Sequence, residues 1–259
     1  MTVVQTEDRG PVRHVVLARV EKRNAIDEEV VRQLGEAFDA TARDESVRVV
    51  VVRGRGPMFS AGVDLGELYE LSERPEGLRP LRTMFLRSWN ALEEMPKPTI
   101  AQIHGGCIGG ALELALACDL RTIAEDAVTG LVETRIGLLP DVGGCSRLPA
   151  VVGLGIAKEL VMTGRVIDGH EAHRIGLANR IAPPEELEAT TDALCRELLA
   201  CAPLAVGLSK RILDATAKPA LAGTLEQELA AQEVLASSSD FREGAQAFLD
   251  RRTPEFAGR

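Results

Sequence analysis

The stretch "PTIAQIHGGCIGGALELALACDLRTIAED", residues 98–126, sets a short apolar run, a cluster of glycines, a longer apolar run and a second β-type run in succession. Pro punctuation before the first run and the change of pattern at the glycines predict a strand, then a helix from about Gly109, then a strand. Strands alternating with helices pair largely in parallel, which makes this an α/β chain. In the helix, Ala111, Leu112, Leu114, Ala115, Leu116 and Ala117 leave no polar face, so it is expected to be buried all round. Its one carboxylate is Glu113. Burial is costly for that group unless it is hydrogen-bonded or protonated. Desolvation raises its pKa and the nearby helix N-terminus lowers it, so the sequence leaves the direction open. The glycines let another group approach the free N–H groups of the first turn. A core glutamate satisfied by backbone donors would read the same way, so a second signal is needed.

Outward from this unit the alternation continues. "TVVQTEDRG" and "VRHVVLARV" read as strands, a helix follows with Asp27 as its cap, and "VRVVVVRGRG" reads as a strand buried on both faces. Residues 66–80 lose periodicity and are expected to form a mobile or variable loop, with a helix from about Leu81 to Met95 after it. "LRTIAED" closes the quoted stretch as a strand, and "GLGIAKELVMTG" resumes helical spacing after a Gly/Pro-rich segment. From about Pro184 to Leu249 the pattern is almost wholly helical, broken near Pro203, Pro219 and Ser237. A segregated helical tail of this kind suggests packing on a neighbouring subunit.

Composition bounds the function. With 259 residues, 45% of them hydrophobic and only 3% aromatic, the chain can bury a full core of Val, Leu, Ile and Ala. A net charge of -9 disfavours nucleic acid and anionic lipid as partners. Five cysteines without CxxC or Cys/His spacing indicate neither a disulfide framework nor a metal site. The opening residues lack a basic region followed by an apolar core, and no apolar run approaches a membrane span, which leads to the expectation of a cytoplasmic protein.

The second signal is "GLVETRIGLLPDVGG", where Glu133 and Asp141 stand among apolar residues and turn formers. Carboxylates from different elements converging on one pocket suit general acid and base work, although surface solvation is the plain alternative for both. A third piece, "RGRGPMFSAGVDL", ends a buried strand in a glycine turn. It reads either as an ordinary strand-to-helix connection or as the place where N–H groups of Ala61 and Gly110 form an oxyanion hole worth about 3 kcal/mol per donor. Other motifs fail: "GLGIAK" lacks the third glycine of a dinucleotide fingerprint, "HEAH" lacks zinc-protease spacing, and no GxSxG elbow occurs.

Taken together, "KRNAID", "FSAGVDL", "PTIAQIHGGCIGGALELALACD", "IGLLPDVGGCSRLP", "AKELVMTGR", "AHRIGLANRI" and "AFLDRRTPEFAGR" resemble, in order and spacing, the enoyl-CoA hydratase/isomerase (crotonase) superfamily over nearly the whole length. The resemblance implies a ββα-spiral core over residues 1–200 and a helical C-terminal extension over 201–259 that serves trimerisation, giving a homotrimer or a dimer of trimers. It implies Glu113 and Glu133 as catalytic residues and Ala61 and Gly110 as oxyanion donors. An acyl-CoA site would involve Lys22, Arg23, Ala25, Ile26, Gly62, Asp64 and Leu65. No metal and no cofactor is implied, coenzyme A being part of the substrate. The implied reaction is reversible hydration of a trans-2-enoyl-CoA thioester to 3-hydroxyacyl-CoA. Asp141 resembles the third acidic residue of dienoyl-CoA isomerases, so isomerisation through Glu133 and Asp141 is the alternative, and a non-catalytic acyl-CoA-binding member is a third. Val132 stands before Glu133 where hydratases usually have Pro.

Overall fold

A computed structural model describes residues 2–74 and 77–258. The chain runs β1 (Val4–Arg9), β2 (Val12–Leu17), α1 (Glu28–Arg43), β3 (Val49–Gly54), α2 (Leu65–Ser72), α3 (Arg79–Glu94), β4 (Thr99–Ile103), β5 (Gly106–Ile108), α4 (Gly110–Ala117) and β6 (Leu120–Ala124). It continues through β7 (Val128–Gly130), α5 (Gly144–Val152), α6 (Leu154–Thr163), β8 (Ile167–Asp168), α7 (Gly169–Arg174), β9 (Arg180–Ala182), α8 (Leu187–Leu199), α9 (Pro203–Ala217), α10 (Leu221–Ala236) and α11 (Ser239–Asp250). Four consecutive valines make β3 the centre of the fold, because a strand covered on both faces favours β-branched side chains throughout.

The main sheet has six strands in the order β1-β2-β3-β4-β6-β9. Only the β1–β2 hairpin is antiparallel; β2, β3, β4, β6 and β9 pair in parallel, as the alternation of strands and helices predicts. A second sheet of three short strands, β5-β7-β8, lies beyond the first. Parallel pairing of β5 with β7 in register Ile108 to Gly130 brings the start of α4 alongside the segment that leads to Glu133. That register positions the site. One large core cluster joins α1, α3, α4 and the inner sheet face, with Phe38, Trp89, Leu112 and Leu114 at 1% exposure or less.

One expectation needs correction. Residues 66–80 are not a plain loop: 65–72 form α2, and α3 already begins at Arg79. Asp64 caps α2 through a hydrogen bond from Gly66 N at 3.2 Å, and Leu68 and Leu71 pack on the main core at helical spacing. Pro75 and Glu76, within the same expectation, lie outside the described residues. The C-terminal helices break where the sequence predicts, near Pro203, Pro219 and Ser237. Within the chain, α10 packs on α3 and α5, and α11 packs on the 3₁₀ turn Glu133–Ile136. Gly244 makes the second contact possible: a methyl there would lie 2.5 Å from the Ile136 carbonyl oxygen.

Candidate active site

Helix α4 begins at two glycines because two carboxyl groups and a neighbouring strand crowd its first turn. Gly109 caps the helix at φ +57° and ψ -128°, a conformation that side chains rarely adopt, and a methyl on it would lie 2.8 Å from Glu133 Oε1. A methyl on Gly110 would lie 2.8 Å from Val63 Cγ2 and 3.9 Å from Glu113 Oε2. Both glutamates therefore converge on the same helix N-terminus. Glu113 is 2% exposed, and its Oε1 accepts hydrogen bonds from Val142 N at 2.9 Å and Gly144 N at 2.8 Å. Burial drives its pKa well above the usual carboxyl range, and the nearby charges of Glu133, Asp141 and Glu228 add to the rise against the bond from Gly144. The direction that the sequence leaves open is therefore upward.

Glu133 opens the 3₁₀ turn Glu133–Ile136, whose shape is held by Leu138 N donating to the Glu133 carbonyl at 3.1 Å. Its Oε2 is buried and has no hydrogen-bond partner among the described residues. Burial pushes its pKa up to about 8, with Asp141 adding to the rise. Asp141 is pushed up to about 7 by burial; the Arg82 guanidinium opposes that shift, with its Nε 3.0 Å from Asp141 Oδ2. All three acids line one cavity of about 410 Å³, together with Leu65, Leu68, Leu81 and Phe85. A shared cavity with apolar walls and clustered, partly protonated carboxyls is suited to moving protons on an apolar substrate.

The expected donor Ala61 is a correction. Its N–H is committed to the Arg23 carbonyl at 3.0 Å, and the residue sits on the exposed side of the turn. The next amide, Gly62 N, donates to Ser60 Oγ at 3.1 Å. Residue 63 forms a parallel bridge with Ile26, made by Ile26 N to Gly62 O and Asp64 N to Ile26 O, which leaves the N–H of Val63 without a partner among the described residues. The same holds for the N–H of Gly110. These two free amides are neighbours, since a methyl on Gly110 would be 3.7 Å from Val63 N and one on Gly62 would be 3.6 Å from Gly110 N. The pair of donors is thus Val63 and Gly110. Three consecutive amides read alike in sequence, and only the bridge to Ile26 tells which is free.

The residues expected to hold coenzyme A divide into several groups. Lys22 and Arg23 are exposed at a tight turn where Arg23 is left-handed at φ 53°, and Ala25 is half-buried beside them. Ile26 is fully buried and offers only backbone. Gly62 and Leu65 line the cavity. The Asp64 carboxylate is occupied by the cap of α2 and by Arg19 at 3.0 Å. Sequence reasoning missed Val63, Arg82, Glu228 and Gln232. Glu228 Oε2 accepts from Gly143 N at 2.9 Å, Gln232 Oε1 accepts from Leu139 N at 3.2 Å, and Arg82 Nη2 donates to the Leu225 carbonyl at 2.6 Å. No local motif marks these long-range ties.

Known proteins resemble the chain along nearly its whole length. The chain is 40% identical over 257 residues to the human "Enoyl-CoA hydratase domain-containing protein 2, mitochondrial", covering 97% of this chain and 87% of that one. It is 36% identical over 273 residues to the mouse "Methylglutaconyl-CoA hydratase, mitochondrial", covering 98% and 85%. The crystal structure of an enoyl-CoA hydratase from Mycobacterium avium subsp. paratuberculosis superposes with a TM-score of 0.90 at 29% identity, covering 99% of each chain. The cytoplasmic location expected from the opening residues conflicts with the mitochondrial relatives and does not stand. The sequence model of the enoyl-CoA hydratase/isomerase family matches residues 7–259, and the chain belongs to that family.

Proposed function

We propose that this chain adds water reversibly across the 2,3 double bond of a trans-2-enoyl-CoA thioester to give a 3-hydroxyacyl-CoA. The observation that carries this reading is the unpartnered Glu133 Oε2 in the same cavity as Glu113, beside the free amides of Val63 and Gly110. Two close, buried carboxyls resist double ionisation, so the pair holds one proton between them. A water held by both loses a proton to the ionised partner as its oxygen bonds to C3. The thioester oxygen takes on enolate character against the two amides, which stabilise it more than they stabilise the ground state. The protonated partner, Glu133, then delivers its proton to C2. Water is consumed, one C–O and one C–H bond form, and the pair is left with the same number of protons. No electron is transferred, so the reaction needs no cofactor beyond the coenzyme A of the substrate.

Crotonyl-CoA provides the test: its ultraviolet absorbance falls as the conjugated double bond is hydrated. The Glu133→Gln enzyme is expected to lose about 10²–10⁴-fold in kcat, the usual size of a lost acid/base group, while still binding acyl-CoA. Unchanged turnover would remove Glu133 from the mechanism. A second reading, isomerisation of a 3,5-dienoyl-CoA by Glu133 and Asp141, is favoured by the position of Asp141 in the same cavity with a pKa of about 7. A gain of 2,4-dienoyl absorbance without hydration of crotonyl-CoA would select it, and binding without either conversion would select a non-catalytic role. We further propose self-association into a trimer, or a dimer of such trimers, through α9, which exposes Leu204, Ile212 and Leu213 by two-thirds or more of their surface.

A further inference from the structure

The turn at 142–144 presents three successive amides to two different carboxylates. The outer two, Val142 N and Gly144 N, donate to Glu113 Oε1. The middle one, Gly143 N, points the other way and donates to Glu228 Oε2 at 2.9 Å. A left-handed Gly143 at φ +113° makes this alternation possible. Glu228 also accepts from Ser146 Oγ at 2.5 Å, and one helical turn later on α10 Gln232 holds Leu139 N, so one face of α10 grips both ends of the segment. Arg147 Nη1 donates to the Val142 carbonyl at 2.9 Å from the other side. Glu228 and Gln232 are 5% and 4% exposed, and Glu228 is not among the residues that line the cavity.

We propose that Glu228 is a positioning residue for the carboxyl pair: it fixes the amide between the two that bind Glu113, and thereby sets where the Glu113 carboxyl stands relative to Glu133. This role rests on the hydration reading above. The charged and titratable groups around Glu228 are Glu113 on α4, Asp141 in the turn, Cys145 and Arg147 on α5, and Arg82 on α3. Arg147 is already paired with Glu93 at 2.8 Å and Arg82 with Asp141 at 3.0 Å, so neither contacts Glu228 as an ion partner. Burial raises the pKa of Glu228 itself, against the bonds from Ser146 and Gly143, and in its ionised form its charge raises the pKa of both Glu113 and Asp141. The same side chain is a mechanical tie and a source of negative potential, and the two contributions separate by substitution.

Wild-type, Glu228→Gln and Glu228→Ala full-length proteins are compared in crotonyl-CoA hydration across pH, with thermal unfolding measured on each. Glutamine keeps an acceptor for Gly143 N and a partner for Ser146 but removes the charge. Its kcat near neutrality is expected within about threefold of wild type, with the alkaline limb of the kcat/KM profile shifted by about 0.5–1 unit to lower pH. Alanine leaves Gly143 N unpaired and frees the turn, and kcat is expected to fall about 100-fold with KM nearly unchanged. If alanine prevents folding, Glu228→Asp decides: it keeps a carboxylate but draws the acceptor back from Gly143 N, and kcat is expected to fall about tenfold with KM nearly unchanged, wild-type kcat overturning the positioning role. An alanine enzyme that is less stable but turns over like wild type overturns the positioning role, and an unshifted glutamine profile overturns the electrostatic contribution; both leave the hydration reading intact. Wild-type protein without hydration of crotonyl-CoA overturns the hydration reading and this role with it.

Discussion

Glu133 ends in an oxygen that accepts no hydrogen bond among the described residues, and its burial has a measurable thermodynamic signature. Its pKa rises on folding from an ordinary 4.5 to about 8, so between those values the folded chain holds more protons than the unfolded one. The contribution of this group to stability is therefore lost as pH rises through that window. Glu133→Gln removes the loss, and its melting temperature is expected to gain on wild type at about pH 9 while differing little at about pH 5. A gap that is equal at both values would mean that Glu133 is not protonated by its surroundings. At the other edge of the site, Gly110→Ala puts a methyl between the two free amides, 3.7 Å from Val63 N, at a residue without a left-handed φ. Turnover is expected to fall about 10²-fold or more, as when one oxyanion donor is removed, and unchanged turnover would place the thioester oxygen elsewhere. At this scale the sequence identified Glu113, Glu133 and Gly110, because a charge in an apolar helix and glycines before it are local anomalies. It named Ala61 instead of Val63, because which amide stays free depends on a bridge to Ile26 some 37 residues away in the chain.

Among elements, α2 was one that periodicity failed to reveal, as was α5 within the Gly/Pro-rich segment. In α2, eight residues hold too few apolar positions to show a period, and its stability comes from tertiary contacts at its start, where Arg19 joins Asp27 and Asp64 at 2.9 and 3.0 Å. Asp64→Ala is expected to cost about 0.5–2 kcal/mol in denaturant unfolding through loss of the cap, with an effect on KM because Leu65 and Leu68 form part of the cavity wall. No change in either quantity would show that α2 forms independently of its cap. The short strands β5, β7 and β8 were hidden for a related reason: two or three residues carry no pattern, and the second sheet exists because β5 and β7 are aligned by the folded core. By contrast, β3, α4 and the breaks between α8, α9, α10 and α11 were legible, since valine runs, apolar helices and prolines act through local conformational preference.

At the scale of the whole molecule, an acidic chain of net charge -9 collects Glu113, Glu133, Asp141 and Glu228 in and beside one cavity and offsets them there with Arg82. Two C-terminal helices of the same chain complete that pocket, Gln232 of α10 and Phe248 of α11 both lining it, so the site does not await a neighbouring copy for these side chains. The exposed apolar face of α9 is one surface available for the proposed assembly, with Met162, Val234 and Leu249 exposed elsewhere; light scattering of purified protein is expected to give a multiple of three chains, and a monomer would refute that assembly. The order of strands and helices carried the α/β class in the sequence, whereas what the last helices pack against did not follow from their helical spacing, which marks a helix without naming its partner. The central claim is that Glu113 and Glu133 act as one unit on a single water. Crotonyl-CoA hydration by wild type, Glu113→Gln, Glu133→Gln and the double variant measures this directly. Each single variant is expected to fall nearly to the residual rate of the double variant, as residues acting as a unit do; losses that simply multiply, with each single variant retaining its own share of activity, would contradict it.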